Sequence, residues 1–254
     1  MTLLATIFRR RLLDWVRYPM DAVLSIVVFY AIFLVLFFGA KTFGGPKVTG
    51  GDTLSSIAVG YVVFVLTMQA YQNFGSFVLQ ESTAGTLEQL ALSRYGLLTV
   101  LLSDFVAQTL VTTSILGVVI VPIMATTGRW LHFDVPSVVV LLILTMTGLV
   151  GLGLTMGGLA MVFKRIGTAA SLVSFTFLFL VAAPVDRYPW LKLLPVAHGN
   201  TLLRATLVGS RSAFGRPSEL LILVAVSAAY LAVGCVVFQA MDRKARDRAL
   251  IGQY

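Results

Sequence analysis

Apolar residues fall into six long runs separated by short polar breaks. The runs cover Ala22–Ala40, Leu54–Leu79, Leu97–Thr127, Val135–Phe163, Ile166–Ala183 and Leu220–Ala240. Each is close to, or longer than, the roughly 20 apolar residues that cross a hydrocarbon core as a helix. A helix is the form such runs take in lipid, because it satisfies every backbone polar group within the segment. The pattern predicts an all-α integral membrane protein with six transmembrane helices. The third run is long enough to tilt and carries Pro122 near its end.

Two further segments carry helical patterning without spanning length. In residues 1–19, Leu4, Phe8, Leu12 and Trp15 repeat at helical spacing with arginines between them, and Pro19 then redirects the chain. This reads as an amphipathic helix lying in the membrane interface; the alternative is a cluster of charges that only sets topology. Residues 185–219 are too apolar for an ordinary loop. Pro184, Pro189 and Pro195 forbid one continuous helix there, while Leu191, Leu194, Leu202 and Leu203 suggest short amphipathic pieces. A re-entrant or interfacial helical hairpin is expected, capping or lining a pathway, since irregular backbone at membrane depth must be buried in protein or wetted. No three-span internal repeat is visible, which argues against an inverted-repeat transporter.

Composition agrees with this picture and charge orients it. The 254 residues are 58% hydrophobic and 12% charged, about half the charge of a soluble domain. They form a single membrane domain, with spans one to five over 20–184, span six over 220–240 and a basic tail over 241–254. An even number of spans puts both termini on one side. Eleven lysines and arginines fall on that side and eight on the other, five of the eight within the segment before the last span. The excess of Lys and Arg in cytoplasmic segments therefore places both termini in the cytoplasm, in a cell (inner or plasma) membrane. The net charge of +8 is assigned to anionic headgroups; no soluble basic domain exists to take nucleic acid as a partner. The basic start and first apolar run are read as a retained span, because the run is full length and no small-residue cleavage pattern follows. The lone Cys235 makes no intrachain disulfide and says nothing of redox compartment.

Catalytic chemistry is scarce. His132 and His198 are far apart, no cluster offers metal-ligand spacing, and no G-x-S-x-G, H-E-x-x-H or G-x-x-x-x-G-K-[ST] motif occurs. No enzyme activity, cofactor site or metal site is expected in this chain. Among polar residues in the spans, Gln69, Gln72, Asn73 and Asp104 form a candidate polar path. The amides can equally make interhelical hydrogen bonds, and Asp104 can be a proton relay or an interfacial, arginine-paired carboxylate. Gly153 and Gly157 make a G-x-x-x-G pair that permits close helix contact. Aromatics crowd the first two spans, where they can face lipid, fill the core or stack on sugars.

Between the second and third runs stands ESTAGTLEQLALSR, residues 81–94, a polar interruption with helical punctuation. Thr86 and Gln89 have capping-box spacing, with Gly85 as a flexible lead-in. Glu88 falls in the first turn and Arg94 in the last, both favoured by the helix dipole, and Gly96 suits the stop. A two-turn helix is unstable alone and must pack. Leu87, Leu90 and Ala91 share one face and Leu92 lies on another, which suggests two partners: the membrane domain and a second protein. The alternative is a loop helix that serves topology only.

QESTAGTLEQLALSR resembles the E-x-x-x-G-T-L-E-x-L segment that follows the second span in ABC-2 type transporter permeases. RYPWLKLLPVAHGNTLLRATLVG resembles that family's P-x-W … P … R … G run before the last span. The likeness extends over the whole chain in span count, orientation and the amphipathic N-terminal helix. It implies a permease subunit of an ABC exporter, paired with a second permease as a homodimer or heterodimer and with two copies of a cytoplasmic ABC ATPase, which would hold ATP and Mg. Glu81, Gly85, Thr86, Leu87, Glu88 and Leu90 would then couple to the ATPase, with Glu81 and Glu88 as acidic contacts. Pro189, Trp190, Pro195 and Arg204 would belong to the outer re-entrant segment. The implied cargo is a lipid, drug or other amphiphile, with polysaccharide or glycolipid export as the alternative and a stand-alone secondary transporter less favoured. Ser82 and Ala84 depart from relatives, which often carry bulkier or charged residues there.

Overall fold

A computed structural model describes residues 3–43, 51–86, 89–90, 93–127, 134–163, 167–183, 185, 187–209 and 212–247. The described residues form helices α1 (Leu3–Arg17), α2 (Pro19–Phe43), α3 (Gly51–Thr83), α4 (Leu97–Thr127), α5 (Val135–Val162), α6 (Gly167–Ala182), α7 (Pro195–Leu207) and α8 (Pro217–Asp247), with short 3-10 turns at Pro189–Leu193 and Ala213–Gly215. Five helices are long and apolar enough to cross a membrane: α2, α3, α4, α5 and α8. The fifth expected run is present as α6, but its 16 residues rise only about 24 Å, short of a roughly 30 Å hydrocarbon core.

Proline punctuates the starts. Pro19, Pro189, Pro195 and Pro217 each open a helix or turn, where a missing N–H costs nothing and the fixed φ is already helical. Two boundaries differ from expectation. The second span runs on to Thr83, so Gln80, Glu81 and Ser82 belong to it rather than to a loop. The last span runs on to Asp247, so Arg243 and Lys244 continue the helix instead of opening a tail.

The core is built around α5, which presents two glycine faces. On one, a Cβ at Gly151 would lie 2.1 Å from the Tyr230 backbone oxygen, and one at Gly234 would lie 2.2 Å from the Gly151 oxygen. The backbones of α5 and α8 therefore touch. On the other, Gly153 and Gly157 receive Phe74 of α3, which is fully buried and stacks on Phe105 of α4 at 5.1 Å. The G-x-x-x-G pair thus serves packing against α3. α2 lies outermost, burying Phe33 and Phe37 while Val23, Val27, Val35 and Phe38 stay exposed.

The segment before α8 is drawn into the bundle. α7 packs against α3, α5 and α6 and buries ten of its thirteen residues. Pro195 fits over Gly148, and Gly199 against Thr145. α7 is thus enclosed by other helices.

Candidate functional site

The polar interruption begins as the end of α3. Gly85 has φ +70°, a conformation that disfavours a side chain. The Thr86 amide donates to the Glu81 oxygen at 3.0 Å and the Gly85 amide to the Ser82 oxygen at 3.1 Å. This is the paired pattern of a Schellman stop. Gly85 therefore terminates the span rigidly, where a flexible lead-in was expected. The Thr86 hydroxyl donates back to the Glu81 carboxylate, tying the turn to the helix it leaves. Among the described residues no hydrogen bond links Thr86 and Gln89 as a capping box would. The Leu90 amide donates to the Thr86 oxygen at 3.0 Å. Leu87, Glu88, Ala91 and Leu92 lie outside the described residues. Leu90 is half-buried against the core, Arg94 sits 4.8 Å over the Tyr95 ring, and Gly96, at φ +72°, closes the turn before α4.

Beside this turn lies α1, packed on α4 and α2. Phe8 faces the core, but Leu4 and Leu12 of the expected stripe are exposed; the Trp15 side chain lies outside the described residues. The tie that holds α1 is ionic. Arg11 Nη2 donates to both carboxylate oxygens of Asp104, at 2.8 and 2.9 Å, and Nε adds a third bond at 3.2 Å. Asp104 is buried while Arg11 is partly exposed, so removing Arg11 would leave a buried carboxylate uncompensated, at a cost of roughly 3 kcal/mol or more. Asp104 is thus the arginine-paired carboxylate of the two readings. Its partner lies 93 residues away, a distance no sequence spacing reveals.

Two cavities meet at that ion pair. A groove of 370 Å³ is lined by Ile7, Arg10, Gln80, Glu81, Thr86 and Leu90, among others. A second cavity, of 220 Å³, brings together Gln69, Gln72, Asn73 and Asp104 of the candidate path and adds Ser76, Gln80 and Gln108. Arg11, Phe77, Gln80 and Asp104 border both. Ser76, Gln80 and Gln108 escaped the sequence reading, although Ser76 and Gln80 continue the α3 face at helical steps and Gln108 lies one turn from Asp104.

The outer-segment residues lie elsewhere. Trp190 and Pro189 are exposed and Pro195 is buried. Arg204 reaches towards Gly60 of α3, where a Cβ would come within 2.8 Å of Nη2. Three groups not singled out above tie this segment to α8: Lys192 Nζ donates to Glu219 Oε1 at 2.7 Å, and buried His198 Nε2 lies 3.0 Å from the Glu219 backbone oxygen. The coupling and outer sets are therefore separate sites joined through α3. Among the described residues no group of three or more His, Cys, Asp or Glu could hold a metal.

Comparison with protein families gives a match to the family described as ABC-2 type transporter over residues 2–208, which leaves α8 outside the matched region. Comparisons with curated proteins and with solved structures give no match.

Proposed function

The chain belongs to the ABC-2 type transporter family, and from that premise we propose that it is the permease subunit of an ATP-binding cassette exporter, forming the path for a lipid, drug or other amphiphile. A separate ATPase subunit, present in two copies and holding ATP and Mg, supplies the energy; this chain catalyses nothing itself. A second permease completes the path as a dimer in the cell membrane. α6 completes a set of six spans, and both termini face the cytoplasm.

The observation that carries this reading is the rigid end of α3. A span that stops at a Schellman turn, bonds its next residue back to Glu81 and shares a groove with α1 is suited to transmit force applied at residues 81–90. The bond between Arg11 and Asp104 supports α1 as part of the same relay. It also weighs against a stand-alone proton-driven transporter, since Asp104 is already committed to a partner.

Co-expression with candidate ATP-binding subunits, then pull-down and ATPase assay, tests the proposal. Glu88→Arg should leave the complex assembled and cut substrate-stimulated ATPase activity at least fivefold. Failure of any ATPase subunit to associate, or unchanged coupling in Glu88→Arg, sinks it.

A further inference from the structure

The candidate path is a stripe. Gln69, Gln72, Asn73, Ser76 and Gln80 recur along α3 at three- and four-residue steps, on one helix face. The stripe rises about 16 Å from near the end of α3 into a span that is otherwise apolar. Gln108 of α4 lines the same cavity. Polar side chains at such depth are costly and mark functional sites.

The cavity's chemistry is specific. Its 220 Å³ falls below the roughly 300–1,000 Å³ of a drug-sized pocket, so it takes a headgroup rather than a whole amphiphile. Its two charged linings, Arg11 and Asp104, neutralise each other through three hydrogen bonds that occupy both carboxylate oxygens. Paired in this way, they leave the cavity no net charge to favour a cationic or anionic guest. What remains is carboxamide and hydroxyl chemistry, which offers donors and acceptors together. Asn73 borders the cavity and is partly exposed, and its Oδ1 has no hydrogen-bond partner; a turn of the amide would offer that unsatisfied group to a guest hydroxyl. Phe77 supplies an apolar wall against which the C–H face of a ring can pack. Gln72, Ser76 and Gln80 are exposed, so the cavity is open from the side.

We propose that this cavity binds the uncharged, polyhydroxylated headgroup of an amphiphile, a glycosyl group, while the acyl chains stay in the lipid. The inference deepens the permease reading by naming the class of cargo, and it rests on that reading for the purpose of binding. Its position against the Arg11–Asp104 pair lets an occupied cavity bear on α1.

The test uses the full chain in phosphatidylcholine nanodiscs, photolabelled with a glucosyl diacylglycerol carrying a diazirine on the sugar. Labels mapped by mass spectrometry should fall on residues 69–80 and 104–108. Unlabelled glucosyl diacylglycerol should compete at least tenfold better than phosphatidylglycerol. Asn73→Leu and Gln108→Leu should each lower labelling at least fivefold with the thermal midpoint held; should either variant fail to fold, Ser76→Val carries the same expectation. Equal competition by phosphatidylglycerol, labels elsewhere, or crosslinks from Gln72 to a second copy that covers the cavity would overturn the proposal. Free glucose competing as well as the glycolipid would overturn its amphiphile half. No ATPase is present, so a negative result leaves the coupling proposal standing. Conversely, correct labelling together with failure of every candidate ATPase subunit to associate on co-expression would sink the coupling proposal alone.

Discussion

Two faces of α3 sit in contrasting surroundings. On one side Phe74 is seated against Gly153 and Gly157 of α5, which in turn meets α8 backbone to backbone at Gly151 and Gly234. Towards α1 and α4 the contacts are an ion pair, a threonine–glutamate bond and amides around two cavities. The first side has one way to pack, because close-packed interiors resist even a methylene. The second is held by a few polar bonds of modest net strength, which can be exchanged for others. A machine that must move while staying assembled needs both, and here one helix belongs to each.

The largest test of that contrast is Gly151→Leu. The backbone of Tyr230 cannot yield to a side chain, so α5 and α8 must separate, at a cost on the order of 4 kcal/mol or more. Loss of monodisperse protein after detergent extraction is expected; a normal yield with an unchanged thermal midpoint would show that the two helices do not meet as described. Next in size is Arg11→Ala, which strands the buried Asp104 carboxylate. It should cost about 3 kcal/mol and raise hydrogen exchange in α1 while α5 and α8 stay protected. Arg11→Ala/Asp104→Ala should recover much of the loss, and failure to recover it would mean that Asp104 has a use beyond the pair. The smallest is a matched pair of glycine substitutions. Gly85→Ala forces a side chain into the left-handed region, costing about 1 kcal/mol, with faster exchange confined to the end of α3. Gly39→Ala, which meets nothing within 4 Å, should be neutral or stabilise by about 0.5 kcal/mol. Equal effects at the two sites would remove Gly85 from its role as a stop.

Legibility in the sequence followed the range of the forces. Local signals were readable: α4 runs from Leu97 to Thr127 as its apolar run predicts, and Gly96 adopts the positive φ of a stop. At Gly85 the sequence carries two signals, since capping-box spacing at Thr86 and Gln89 competes with the Schellman signal at the same place. In the structure the stop of α3 takes Gly85, and Thr86 bonds backwards. The polar stripe was half visible, as Gln69, Gln72 and Asn73; its continuation to Gln80 was hidden by ending the span too early. Arg11 looked like one more topogenic charge, since tertiary pairing carries no local mark.

The contact between Gly151 and Gly234 also bears on how the chain is made. Gly234 follows Gly151 by 83 residues, which at about 5–20 residues per second is a delay of roughly 4–17 s. For that interval the Gly151 face of α5 is without the α8 backbone that packs on it in the finished fold. The contact that fixes α5 against α8 is therefore completed only after the last helix has been made.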